Sequence, residues 1–115
     1  MKTVFKTMTD PKLARQKQIE FEQKTGLKWD VYSTGQGMIF TPVATKDTPL
    51  DYDLANLLYP KLSTAKYQDF VSIAKNTGFD LSSIIIGAKT LVMQGRAYSS
   101  VNRMGNFAGI KTKRS

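Results

Sequence analysis

At 115 residues the chain has room for one domain with a modest core and little else. Its 41% hydrophobic and 23% charged residues exclude wholesale disorder. With no cysteine and no histidine, they also leave no disulfide, no thiolate metal site and no imidazole acid–base chemistry. The net charge of +8 is unevenly spread: residues 1–19 hold Lys2, Lys6, Lys12, Arg15 and Lys17 against Asp10 alone, and residues 81–115 hold Lys89, Arg96, Arg103, Lys111, Lys113 and Arg114 against no acid. Residues 20–80 carry eight of the nine acids and six basic side chains. Two basic ends around a slightly acidic centre point to a polyanionic partner, against the plainer alternative that the charge serves solubility.

In chain order, residues 2–8 alternate loosely and predict a short strand. Thr9-Asp10-Pro11 is a helix start, with a capping side chain followed by a proline whose missing N–H costs nothing there. It predicts a helix from Pro11 to Lys24, stopped by Gly26, with Leu13, Ala14 and Phe21 on one side and Ile19 off it. Residues 27–43 read as a β-hairpin. Leu27, Trp29 and Val31 alternate with Lys28, Asp30 and Tyr32, residues 33–37 supply the turn, and Pro42 ends the return strand or lies at an edge. After a polar loop at 44–49, Leu50, Leu54, Leu57 and Leu58 make the apolar stripe of a short helix closed by Pro60. Ser63 is expected to cap a helix to Asn76, with Tyr67, Phe70, Ile73 and Ala74 facing one way, before Gly78 breaks it. Asp80 then caps the clearest helix, in which Leu81, Ile84, Ile85, Ala88, Leu91 and Val92 follow helical spacing and Ile86 and Met93 widen the stripe. From Gly95 the periodicity fades. The expected fold is a single α+β domain over residues 1–101, about four helices on a two- or three-stranded antiparallel sheet, followed by a flexible, basic, glycine-containing tail at 102–115. A mostly helical domain with one hairpin is the nearest alternative.

No catalytic constellation stands out, and a non-enzymatic protein without cofactor or metal is expected. Asp51-Tyr52-Asp53 is the best carboxylate pair for a hard cation. Residues two apart on a helix point to different faces, however, and acids in a first turn are favoured by the helix dipole alone. Gly35-Gln36-Gly37 lacks the third glycine and the following helix of a dinucleotide fingerprint, and Gly109-Ile110-Lys111-Thr112 leads into no helix as a phosphate-binding loop must.

Three segments have the character of binding surfaces. Residues 67–92 resemble helix-turn-helix DNA readers in outline. The second helix, though, is mostly apolar, offers only Ser82, Ser83, Lys89 and Thr90 to base edges, and places Gly87 where a bulky core residue is usual, so a helical hairpin inside the core is favoured. In the hairpin, Trp29, Tyr32 and Phe40 interleave with Lys28. Aromatics on a sheet can stack single-stranded bases, but packing of Trp29 and Phe40 against the helices is favoured, leaving Tyr32 as the candidate. The basic ends are the broadest signal. Lys2, Lys6, Lys12, Arg15, Lys17, Lys28, Lys89, Arg96, Arg103, Lys111, Lys113 and Arg114 are the expected phosphate contacts to DNA or RNA. The alternative is a structural or inhibitory subunit, of the plain kind found in viruses and mobile elements, that docks on a larger assembly or on itself. The N-terminus has no signal-peptide run and Ile84–Ala88 is too short to cross a bilayer. A cytoplasmic or virion location without membrane attachment is therefore expected.

Overall fold

The computed structural model describes residues 3–5, 10–35 and 37–113. Among them six strands and four helices alternate as an α+β fold. There are two three-stranded antiparallel sheets where one was expected. The first has the order β1 (Thr3–Phe5), β3 (Gly37–Val43), β2 (Lys28–Thr34). The second has the order β4 (Gln68–Asp69), β6 (Phe107–Thr112), β5 (Ala97–Val101). The two are tied where Ala44, just past β3, donates its N–H to the carbonyl of Phe107 at 2.9 Å.

Helix α1 (Pro11–Thr25) follows its sequence signals closely: the Asp10 carboxylate accepts from the Lys12 N–H, and Gly26 ends the helix in the left-handed conformation that glycine adopts without strain. Its buried side is narrower than expected. Ala14 is buried and Phe21 half-buried, whereas Leu13 is exposed. Phe21 stacks on Trp29 at 4.8 Å and meets Phe40 edge-on at 5.5 Å, so α1 seals the first sheet through Ala14, Trp29 and Phe40. Pro42 is fully buried and paired with Trp29; β1 pairs only with Met38–Phe40, so the proline breaks no bond to β1.

Helices α2 (Tyr52–Leu58), α3 (Phe70–Thr77) and α4 (Leu81–Met93) cover the second sheet. Each starts on an aspartate, Asp51, Asp69 and Asp80, whose side chain accepts from a backbone N–H three residues on. The leucine stripe of α2 is corrected: Ala55 and Leu58 face the core, while Leu50 and Leu57 are exposed. Residues 63–69 form turns and β4 instead of the first half of a helix. The Ser63 hydroxyl accepts from the N–H groups of Ala65 and Lys66, a local turn that competes with helix. Helix α4 is the most buried of the helices, with Ile84, Ile85, Ala88 and Leu91 at 1% exposure or less, though Met93 points out to solvent. Gly87 admits α2: a Cβ there would lie 3.1 Å from Leu58 and 3.4 Å from the Leu54 carbonyl. No described helix is long and apolar enough to cross a membrane.

The expected tail is the largest correction. Residues 107–112 form the central strand of the second sheet, paired with β4 on one side and β5 on the other. Sequence periodicity hid the β5–β6 hairpin because both strands are short and the pairing shifts register between Ser100 and Val101. Asn102 organises its loop. The Asn102 side-chain oxygen accepts from the N–H groups of Met104 and Asn106, and Gly105 takes a positive φ of 80°. The amides of Asn102 and Asn106 both donate to one oxygen of Asp30, each at 2.8 Å. Asp30 is 4% exposed, on β2 of the other sheet, so a buried carboxylate docks the second hairpin onto the first sheet. Replacing Asp30 with Ala removes the acceptor of both amides and should cost about 2–3 kcal/mol in urea unfolding, Asp30→Asn less. A loss below about 0.5 kcal/mol would show that this contact does not hold the sheets together.

Candidate functional site

The outer face of the second sheet concentrates charge and aromatic surface. Along β6, Ala108, Ile110 and Thr112 are buried, which turns Lys111 and the following Lys113 outward. Tyr98 of β5 lies directly opposite Lys111. On the other edge the register of β4, with Gln68 opposite Ile110, continues to bring Tyr67 beside Lys111. The Lys111 ammonium is therefore held between two rings, 4.8 Å from the centroid of Tyr67 and 5.6 Å from that of Tyr98. The Lys113 ammonium sits 4.9 Å from the Tyr98 ring. Both tyrosines are about half exposed, at 47% and 48%.

Arg96 extends this face. Helix α4 ends with paired bonds from the Gly95 N–H to Val92 and from the Arg96 N–H to Leu91, and Gly95 has φ 73°. This left-handed cap turns the chain straight from helix into β5. The Arg96 carbonyl accepts from the Lys113 N–H, in register with the sheet. Its guanidinium lies 4.3 Å from the centroid of the Tyr59 ring and donates to Asn56 and Gln94. Tyr59, in a 3₁₀ turn at Tyr59–Lys61, donates its hydroxyl to the Lys113 carbonyl. Arg96, Lys111 and Lys113 meet no carboxylate among the described residues. Cations over exposed rings gain only about 0.5–1 kcal/mol, so their charge stays available to a ligand.

The other expected site residues are placed apart from this face or used elsewhere. Lys12 and Arg15 are exposed on α1, where Arg15 donates to Gln18. Lys17 pairs with Glu20 at 3.5 Å and Lys28 with Glu22 at 3.7 Å. Tyr32 is half-buried on β2. Arg103 is exposed in the β5–β6 loop. Lys2, Lys6 and Arg114 lie outside the described residues. Trp29 and Phe40 are core side chains, so the first sheet offers neither ring for stacking. The helical hairpin is core as well: Ser83 is bonded to Asp80, and Thr90 is buried, donating to Ile86 and accepting from the Asp51 N–H. Asp51 and Asp53 serve the first turn of α2, and the described residues contain no group of three or more acidic side chains that could hold a metal ion.

Lys89 changes role. Its ammonium donates to the carbonyls of Thr45, Lys46 and Thr48 at 2.6, 3.0 and 2.9 Å, which uses all three of its protons on the loop after β3. Tyr59, Tyr67 and Tyr98 are the site residues that sequence reasoning missed. The available signal, for Tyr98 alone, was a pair of short runs holding strand-forming residues, Tyr98 and Val101 and then Phe107, Ile110 and Thr112, on either side of a loop with Gly105.

Comparison with protein-family models, with curated proteins and with solved structures gives no match. The arrangement itself is the guide to function.

Substituting Lys89 with Met keeps its length and removes its donors. The expected result is a stability loss of about 2 kcal/mol with unchanged affinity for any polyanion. A variant of native stability and reduced polyanion affinity would return Lys89 to the binding surface.

Proposed function

We propose that the chain is a non-enzymatic binding protein for single-stranded nucleic acid and that the outer face of the β4–β6–β5 sheet carries the contact. One observation supports this most directly: Lys111 lies between the exposed rings of Tyr67 and Tyr98, with Lys113 on Tyr98, and no carboxylate among the described residues neutralises either lysine. Rings on an open sheet can stack only on bases whose faces are free, which a duplex does not offer, and the interleaved ammonium groups match the phosphates between such bases. Arg96, held on Tyr59 one row along the sheet, lengthens the track in the strand direction. Arg103, Lys12 and Arg15 add charge at a distance and contribute to encounter more than to the bound geometry. The absence of cysteine suits a reducing compartment such as the cytoplasm.

The test is anisotropy of labelled 12-mers of single-stranded RNA, single-stranded DNA and duplex across a salt series. Single strands should bind more tightly than duplex. Lys111→Gln with Lys113→Gln should flatten the slope of log K against log salt by about 0.7 for each phosphate that the variant no longer neutralises. Tyr67→Ala or Tyr98→Ala should cost about 1–3 kcal/mol each while leaving that slope nearly unchanged. Equal binding of duplex, indifferent to both tyrosines, would exclude the stacking platform. Loss of all binding at physiological salt would favour docking on a protein assembly instead.

A further inference from the structure

We infer that a second site, separate from the basic sheet face, binds a free apolar carboxylate in the cleft between α1 and α3. The cleft has a volume of about 430 Å³, within the range of small-molecule sites. Its lining is mostly apolar and shares no residue with the basic sheet face. From α1 come Phe21 and Lys24, three residues apart; from α3 come Val71 and Lys75, four apart. Each spacing sets one apolar group and one ammonium on the same side of its helix. Trp29 and Leu81 complete the apolar wall, and Trp29 is fixed by its stack on Phe21 and by donation from its indole N–H to Thr25 at 2.9 Å. Lys24 and Lys75 are exposed and have no carboxylate partner among the described residues.

The chemistry of the occupant follows from that lining. Apolar walls take an alkyl or aryl body, and two unneutralised ammonium groups on opposite helices call for an anionic head between them. Both lysines stand in the last turn of their helices, where the helix dipole favours a cation, and neither forms an ion pair with a described carboxylate. A neutral apolar ligand would leave the cations unused, and a cationic one would be repelled.

Trp29 is the only tryptophan in the chain and forms part of the cleft wall, so an occupant of the cleft touches the one indole whose emission is followed. The full chain would be titrated with sodium decanoate below its micelle concentration, following Trp29 emission and measuring stoichiometry by calorimetry. Saturable binding of one decanoate is expected, weakened about tenfold or more in the exposed-site variant Lys24→Gln/Lys75→Gln and unchanged in Lys111→Gln/Lys113→Gln. The latter variant also separates this site from the nucleic-acid surface, since each pair of substitutions should affect only its own ligand. The inference is overturned if no saturable change occurs, if decyltrimethylammonium binds equally well, or if decanoate binds at many sites indifferent to Lys24 and Lys75. It is likewise overturned if anionic vesicles or an acidic amphipathic peptide engage these lysines while free decanoate does not.

Discussion

Strand β6 is bonded on both of its edges, and the rest of the second sheet exists only because it is there. β4 is two residues long and β5 five, and neither pairs with the other. The N–H and hydroxyl of Thr112 both donate to the carbonyl of Ser63, drawing the segment after α2 onto the same strand. Phe107 at its other end accepts from Ala44. Gly109 lies between, where a Cβ would stand 2.6 Å from the Ser100 hydroxyl and 2.8 Å from the Gln68 carbonyl. Three strands close in on that position, and only a residue without a side chain lets them. The sheet therefore cannot form until β6 is in place, and while the β5–β6 hairpin closes locally, the pairing with β4 and the bond to Ser63 each close 40 or more residues of chain, an entropy that must be met together.

This order of assembly decides what the outer face becomes. Tyr67, Tyr98 and Lys111 are 31 and 13 residues apart in sequence, yet the register of β6 sets them in one row across three strands. Folding thus sets the charge of β6 between rings supplied by β5 and by the residue that precedes β4. Ile110 anchors the opposite side of the same strand in the core at 1% exposure. A one-residue slip would bury Lys111 and expose Ile110, so the core that fixes the register also fixes the binding face.

The parts of the fold legible in the sequence are those written in local chemistry. The Asp10 cap, Gly26, the 27–43 hairpin and the Asp80 cap each act on neighbours a few residues away, and each appears where the sequence puts it. Helix α4 was legible because its apolar residues repeat over 13 positions. The β5–β6 hairpin was not. Its strands are short, its register shifts at a bulge, and its loop is held by Asn102 and Asn106 reaching Asp30, more than 70 residues away, a contact with no local signature. Tyr67 was misplaced for a related reason. Its spacing to Phe70, Ile73 and Ala74 fits a helix, but the Ser63 turn and the pairing of Gln68 with Ile110 leave it outside any helix, just ahead of β4. Of the site, the sequence yielded Arg96, Lys111 and Lys113 as charges and missed the rings that position them.

Charge by itself was a poor guide, and the fates of individual cations show why. Lys89 spends its protons on three carbonyls, and Lys17 and Lys28 sit beside glutamates. A buried or half-buried cation that is satisfied within the protein is part of the fold; removing it leaves backbone acceptors without partners. A cation resting on an exposed ring keeps most of its charge for a ligand, because the ring stabilises it without neutralising it. The distinction separates Lys111 and Lys113 from Lys89 although composition treats all three alike. It also makes the tyrosines as much a part of the candidate surface as the lysines: without Tyr67 and Tyr98 the two ammonium groups would be mobile charges on long stems, losing more rotamer entropy on each phosphate they bind.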